Sequence, residues 1–234
     1  MKLKLFAVAF ILVSTTLNLF AQPKDYYSLP SGLSHNQDSI SVDTLIYELK
    51  VEKNYWLPVI EVVGLNFGVW GYHRYLSGEN WSNINWETIK NNLKYGFEWD
   101  ADGYLINQFW HPYHGSNYYN SARSNGLSFW ESATYAFGGS LTWEYFMENE
   151  RPSYNDIVNT PVTGITLGEI SFRISNLIID ESTIGFERFL REFSSTLIDP
   201  MQGLNRMIRG DMWREGTSSE KGDFGILISL GAHN

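Results

Sequence analysis

Two lysines, Lys2 and Lys4, precede a run from Leu5 to Leu19 that is apolar apart from Ser14, Thr15, Thr16 and Asn18, and Ala21 supplies a small residue just before Gln22. This order of basic, apolar and small positions predicts a secretory signal peptide over 1–21, cleaved after Ala21, because the apolar run is short for a membrane span. An uncleaved anchor helix is the competing reading. Residues 22–52 are polar and aperiodic, with Ser28-Leu29-Pro30-Ser31-Gly32 and His35-Asn36-Gln37-Asp38 among them, and read as a flexible leader. Between Pro58 and Leu76 the apolar residues Val59, Val62, Val63, Phe67, Trp70, Tyr72 and Tyr75 recur at three- and four-residue steps. That spacing predicts an apolar helix, marginal as a span and better as a buried or interfacial element. Trp81 to Asp102 is turn-rich, with Tyr95–Asp100 read as extended.

The centre of the chain carries clear helix starts. Ser128 and Glu131 form a capping box, in which the hydroxyl accepts from the backbone three residues on and the carboxylate reaches back. The helix it opens can run to Glu150, before Pro152, and Gly138-Gly139-Ser140 in its middle permits a close backbone approach or a bend. Thr166 and Glu169 repeat the capping pattern ahead of an apolar face of Ile170, Ile174, Leu177 and Ile178. Asp199-Pro200 is a further start, with proline at the first helical position. From Ile184 to Leu197, Phe186, Phe189, Leu190 and Phe193 fall on one side, and Glu187, Arg188, Arg191 and Glu192 on the other. The fold class is therefore mainly α, a helical domain over 53–210 with a few short strands. Residues 211–234 read as a linker and a terminal strand, Phe224–Ala232, glycine-interrupted and apolar. It can pair with Tyr95–Trp99, or open a β-barrel that this sequence truncates.

Composition narrows the function classes. The chain has 26 acidic against 17 basic side chains and a net charge of −9, which argues against nucleic acid, whose phosphates require a basic footprint. Zero cysteines exclude disulfides, thiolate metal sites, thiol nucleophiles and lipoprotein processing. Stability in an exported chain must then come from packing or from a membrane. The 14 Phe, 9 Trp and 14 Tyr suit a core or a membrane-boundary belt.

The string His111-Pro112, His114-Gly115-Ser116, Tyr118-Tyr119, Ser121-Ala122-Arg123, Asn125-Gly126-Leu127-Ser128 and Glu131-Ser132 is followed by Gly139-Ser140, Trp143-Glu144-Tyr145 and Glu148. With Pro152-Ser153, Asn155-Asp156, Thr160, Gly164, Leu167-Gly168-Glu169, Arg173, Asp199-Pro200, Gly203 and Asn205-Arg206, it resembles the domain-of-unknown-function family 3943 of bacterial envelope proteins. The resemblance spans roughly 55–210. It implies no activity, since none is established for the family. Members are often longer, with a strand-rich C-terminal part that looks like an outer-membrane barrel.

Candidate chemistry lies in the same segment. Glu144 and Glu148 are one helical turn apart, and a carboxylate buried beside Trp143 and Tyr145 would have a raised pKa suited to acid or base work. The candidate catalytic set is Glu144 and Asp156 as the acid/base pair, His114 assisting, and Arg123 holding an anionic group. Neither Gly-x-Ser-x-Gly nor His-Glu-x-x-His is present. Structural roles compete at each position: Ser153 with Asp156, Glu131 and Glu169 serve as helix starts, and Arg123 with Glu144 or Arg173 with Glu148 can be internal ion pairs. His111 and His114 straddle Pro112, so no metal site is assigned to them, and no cofactor is expected. These features predict an exported protein of the periplasm or outer membrane, a non-enzymatic envelope component with membrane or envelope components as partners. The alternative is a membrane-proximal hydrolase or transferase acting on an envelope lipid or glycan.

Overall fold

The computed structural model describes residues 51–99 and 101–214. Among them are seven α-helices: α1 (Trp56–Tyr72), α2 (Trp86–Tyr95), α3 (His111–Arg123), α4 (Phe129–Phe146), α5 (Tyr154–Ile178), α6 (Gly185–Ile198) and α7 (Pro200–Arg209). A π-helical turn at His73–Ser77 continues α1, and another at Ile106–Trp110 leads into α3. Among the described residues the mainly helical class holds without strands; Glu98 and Ser153 make an isolated parallel bridge. The terminal strand and the signal peptide fall outside the described residues.

Local chemistry starts several of these helices. The Glu131 amide donates to Ser128 Oγ and the Ser128 amide to Glu131 Oε2, at 3.4 and 2.7 Å, so the capping box is formed. Asp199 Oδ1 accepts from the Gln202 amide at 3.0 Å with Pro200 in the first turn of α7. Three expectations need correction. The turn-rich stretch contains α2, because Asn85 accepts from the amides of Glu87 and Thr88 and so offsets the weak propensity of Asn91-Asn92. Thr166 and Glu169 lie inside α5, which Ser153 opens by accepting from the Asp156 amide at 3.2 Å. Helix α4 ends at Phe146, short of Glu150.

Helix α3 is the hub, packed most extensively against α5 and also against α4, α1 and α7. Its backbone touches that of α5. A Cβ added to Gly115 would lie 1.9 Å from the Thr160 carbonyl oxygen, and one added to Gly164 would lie 2.5 Å from Gly115 C. Gly139 of α4 receives the Tyr118 ring, 2.6 Å from where a Cβ would stand, whereas Gly138 has nothing within 4 Å, so the close approach is that of one side chain to one glycine and not of a second backbone.

The amphipathic faces point opposite to the usual arrangement. Every residue of α3 from Gly115 to Arg123 is buried, and most are polar. In α6, Arg188, Glu192 and Ser195 are buried, whereas Phe186, Phe189 and Phe193 are 74, 58 and 50% exposed. Ile170, Ile174 and Leu177 of α5 and Met207 and Ile208 of α7 are likewise exposed. Among the described residues, buried polar and charged side chains outnumber buried hydrophobic ones. The interior is instead held by directional bonds. Ser175 and Ser195 hydroxyls lie 2.5 Å apart, Gln202 Nε2 donates to Asn176 Oδ1 at 2.6 Å, and Tyr118 donates to Asn66 Oδ1.

Two carboxyls in this interior are shifted upward by burial. Asn205 and Asn125 donate to Glu61 Oε2 at 3.2 and 3.3 Å, while Oε1 has no partner. Burial pushes Glu61 up to about 7, and it pushes Asp199 up to about 7 as well. Each group binds its proton more tightly folded than unfolded. Its stabilisation is therefore full below pH about 4 and is lost as pH rises through about 7. With roughly 1.4 kcal/mol per unit, the effect is on the order of 3 kcal/mol per group. Denaturant titrations from pH 5 to 8 should show falling stability, and Glu61→Gln should flatten that slope. A variant slope equal to that of the wild type would remove Glu61 as its source.

Candidate functional site

Around the N-terminal ends of α3 and α5 and the C-terminal end of α4, several titratable side chains converge. His111 opens α3, and its Nε2 lies 3.2 Å from Asp156 Oδ1 and 3.4 Å from Asp102 Oδ2. One ligand atom from each of the three lies within 4.8 Å of the other two. Asp156 sits in the first turn of α5, positioned by its amide bond to Ser153 Oγ and by Asn155 Nδ2, which donates to Oδ1 at 3.2 Å. Asp102 precedes the π-helical turn and is pinned through its carbonyl, which accepts from Asn107 Nδ2 at 3.0 Å. Asn107 in turn accepts from Asn155 and Asn159 of α5, so the loop is tied to the helix that carries Asp156.

Carboxylates crowd the same region. Glu144 is 1% exposed and accepts from the Ser153 amide at 2.8 Å. Glu148 is pushed well above the usual carboxylate range, first by burial and then by the charges of Glu144, Asp156, Glu150 and Asp102. His114 packs its ring on Tyr118 and edge-on to Trp143, with centroids 4.6 and 5.0 Å away. Burial, reinforced by His111 and His73, lowers it to about 3, so it is neutral. Its Nε2 is buried without a hydrogen-bond partner.

Of the four candidate catalytic residues, Glu144, Asp156 and His114 belong to this neighbourhood. Arg123 does not. Its Nε donates to Glu169 Oε2 at 3.0 Å, its Nη1 to the Leu127 carbonyl at 3.0 Å, and its guanidinium lies over Phe172. Glu169 also takes Arg173 at 2.6 Å and the Tyr119 hydroxyl at 2.6 Å. The expected pairs Arg123 with Glu144 and Arg173 with Glu148 are thus replaced by one shared partner, Glu169. A cavity of about 20 Å³ borders Arg123, which is room for roughly one water and not for an organic anion. Asp102 is the site residue that the sequence did not suggest, and Glu148 and His111 stood only beside the candidate set. Pro112 does not separate the two histidines: it sits in the first turn of α3, which carries both, and His111 pairs with residues of other segments.

Residues 96–201 match the family model of a domain of unknown function, DUF3943. No curated protein and no solved structure matches the chain.

Proposed function

We propose that this chain, whose residues 96–201 match the DUF3943 family model, is an exported, membrane-associated component of the envelope whose helical domain turns apolar side chains toward acyl chains. The observation that carries this reading is α6, with Arg188 and Glu192 inside and a row of phenylalanines outside. Water is a poor solvent for such a surface, and each half-exposed phenylalanine moved into hydrocarbon gains about 1 kcal/mol. Among the described residues no helix is long and apolar enough to cross a membrane. Contact through helix faces lying along the lipid boundary is the mode that fits.

Vesicle flotation of the purified chain tests the proposal. Wild type should float with the lipid, and Trp emission should be quenched by brominated acyl chains. Replacing Phe186, Phe189 and Phe193 together by serine should lower vesicle affinity at least tenfold. A wild-type chain that stays monomeric in detergent-free buffer and leaves vesicles bare overturns the reading. The convergence of Glu144, Asp156 and His114 favours a second reading, a membrane-proximal hydrolase or transferase using those carboxyls as acid and base.

A further inference from the structure

We infer that Asp102, His111 and Asp156 form a binding site for one divalent transition-metal cation, with Zn²⁺ as the best fit. The donor set is one imidazole nitrogen and two carboxylate oxygens, each from a different segment: the loop before α3, the start of α3 and the first turn of α5. Imidazole favours zinc and its neighbours over calcium and magnesium, and carboxylates complete such sites. The spacing agrees. Zinc bonds of about 2.0–2.2 Å place neighbouring donors of a tetrahedron about 3.3–3.6 Å apart. His111 Nε2 stands 3.2 and 3.4 Å from the two carboxylate oxygens.

The surroundings point to a cation independently of that triangle. Glu148, just past the end of α4, lies close enough to Glu144, Asp156 and Asp102 to feel their charges. A concentration of acid groups in a partly buried place is held together by protons or by a metal ion, and a dication neutralises two carboxylates at once. One turn along α3 from His111, His114 keeps a neutral ring whose buried Nε2 has no hydrogen-bond partner, the state in which an imidazole ligates metal. Three protein donors leave a coordination position for water or for a substrate oxygen. The inference stands apart from the membrane reading: a chain that ignored vesicles would still hold the cation.

The full chain in detergent, stripped with a chelator and dialysed against Zn²⁺, tests it by elemental analysis. One zinc per chain is expected, with Mn²⁺ bound more weakly and Mg²⁺ displaced by either. At a hundredfold excess over the dissociation constant the melting temperature should rise by about 5–10 °C. His111→Gln and Asp156→Asn should each weaken binding at least tenfold, and Co²⁺ should give visible ligand-field bands that both variants lose. Asp102→Asn changes an exposed residue, so its far-UV circular dichroism should match wild type while its zinc affinity falls in the same direction. Glu187→Gln, on the exposed side of α6, should leave binding unchanged. Failure of the wild type to retain zinc, or equal retention by wild type and Asp102→Asn, overturns the site. The three side chains would then be two carboxylates sharing one imidazole proton.

Discussion

Gly115→Ala is expected to lower stability by about 3 kcal/mol, at the upper end of what overpacking costs. The added methyl would fall 1.9 Å from the Thr160 carbonyl oxygen and 3.1 Å from the Gly164 Cα. Both obstacles are backbone, so no rotamer change makes room and α3 must move away from α5. For a chain of this size the melting temperature should drop by about 6–12 °C. Gly138→Ala is the matched comparison. Nothing lies within 4 Å of a Cβ there, and alanine in a helix interior should stabilise by about 0.5–1 kcal/mol. Thermal melts followed by circular dichroism measure both. If the two substitutions shifted the melt alike, the α3–α5 backbone contact would not be what sets the helix spacing.

Arg206→Ala should cost about 3 kcal/mol, because it strips a guanidinium from carboxylates that are already out of water and leaves Glu192 with Arg188 alone, at 2.9 Å. Arg206 is 1% exposed. Its Nε and Nη2 donate to the two oxygens of Glu192 at 3.0 and 2.8 Å, and Nη2 also reaches Glu181 at 3.2 Å and the Asp211 carbonyl at 3.3 Å. Lysine keeps the charge but cannot form the fork, so Arg206→Lys should recover only part of the loss. Arg191→Ala breaks a pair with Glu187 in which the carboxylate is 60% exposed, and should cost less than about 1 kcal/mol. Equal losses for Arg206→Ala and Arg191→Ala in denaturant titrations would contradict a load carried by the buried network.

What could be read from the sequence was what depends on neighbouring residues. Ser128 with Glu131, and Asp199 with Pro200, form their caps within a single turn, so spacing alone located α4 and α7. Thr166 and Glu169 have the same spacing, but Ser153 had already started that helix, and in mid-helix the carboxylate is free to take Arg123, Arg173 and Tyr119. The period of α6 separated its phenylalanines from its charges correctly. It could not say which side faces inward, since a helical period is unchanged by turning the helix half a revolution. The inward side is decided by partners such as Arg206, Ser175 and Asp211, which belong to other elements. The candidate site divides in the same way. Asp156, Glu144 and His114 were legible as polar residues among aromatics, whereas the meeting of His111 with Asp102 and Asp156 needs the crossing of α3 on α5. Arg123 carried the right charge for an anion but was claimed by Glu169.

The polar lining of α3 also bears on how the molecule responds to temperature. Exposure of apolar surface raises the heat capacity on unfolding, and exposure of polar surface lowers it. In the buried stretch of α3, Ser116, Asn117, Asn120, Ser121 and Arg123 stand beside Tyr118, Tyr119 and Ala122, so unfolding releases polar along with apolar surface, while the phenylalanines of α6 are already exposed. The heat-capacity increment per residue is expected to fall below the usual range of about 12–15 cal/mol/K in scanning calorimetry, with a correspondingly flatter stability curve. Cooling, which weakens an oily interior, should therefore weaken this one less, since much of it is amides, hydroxyls and paired charges.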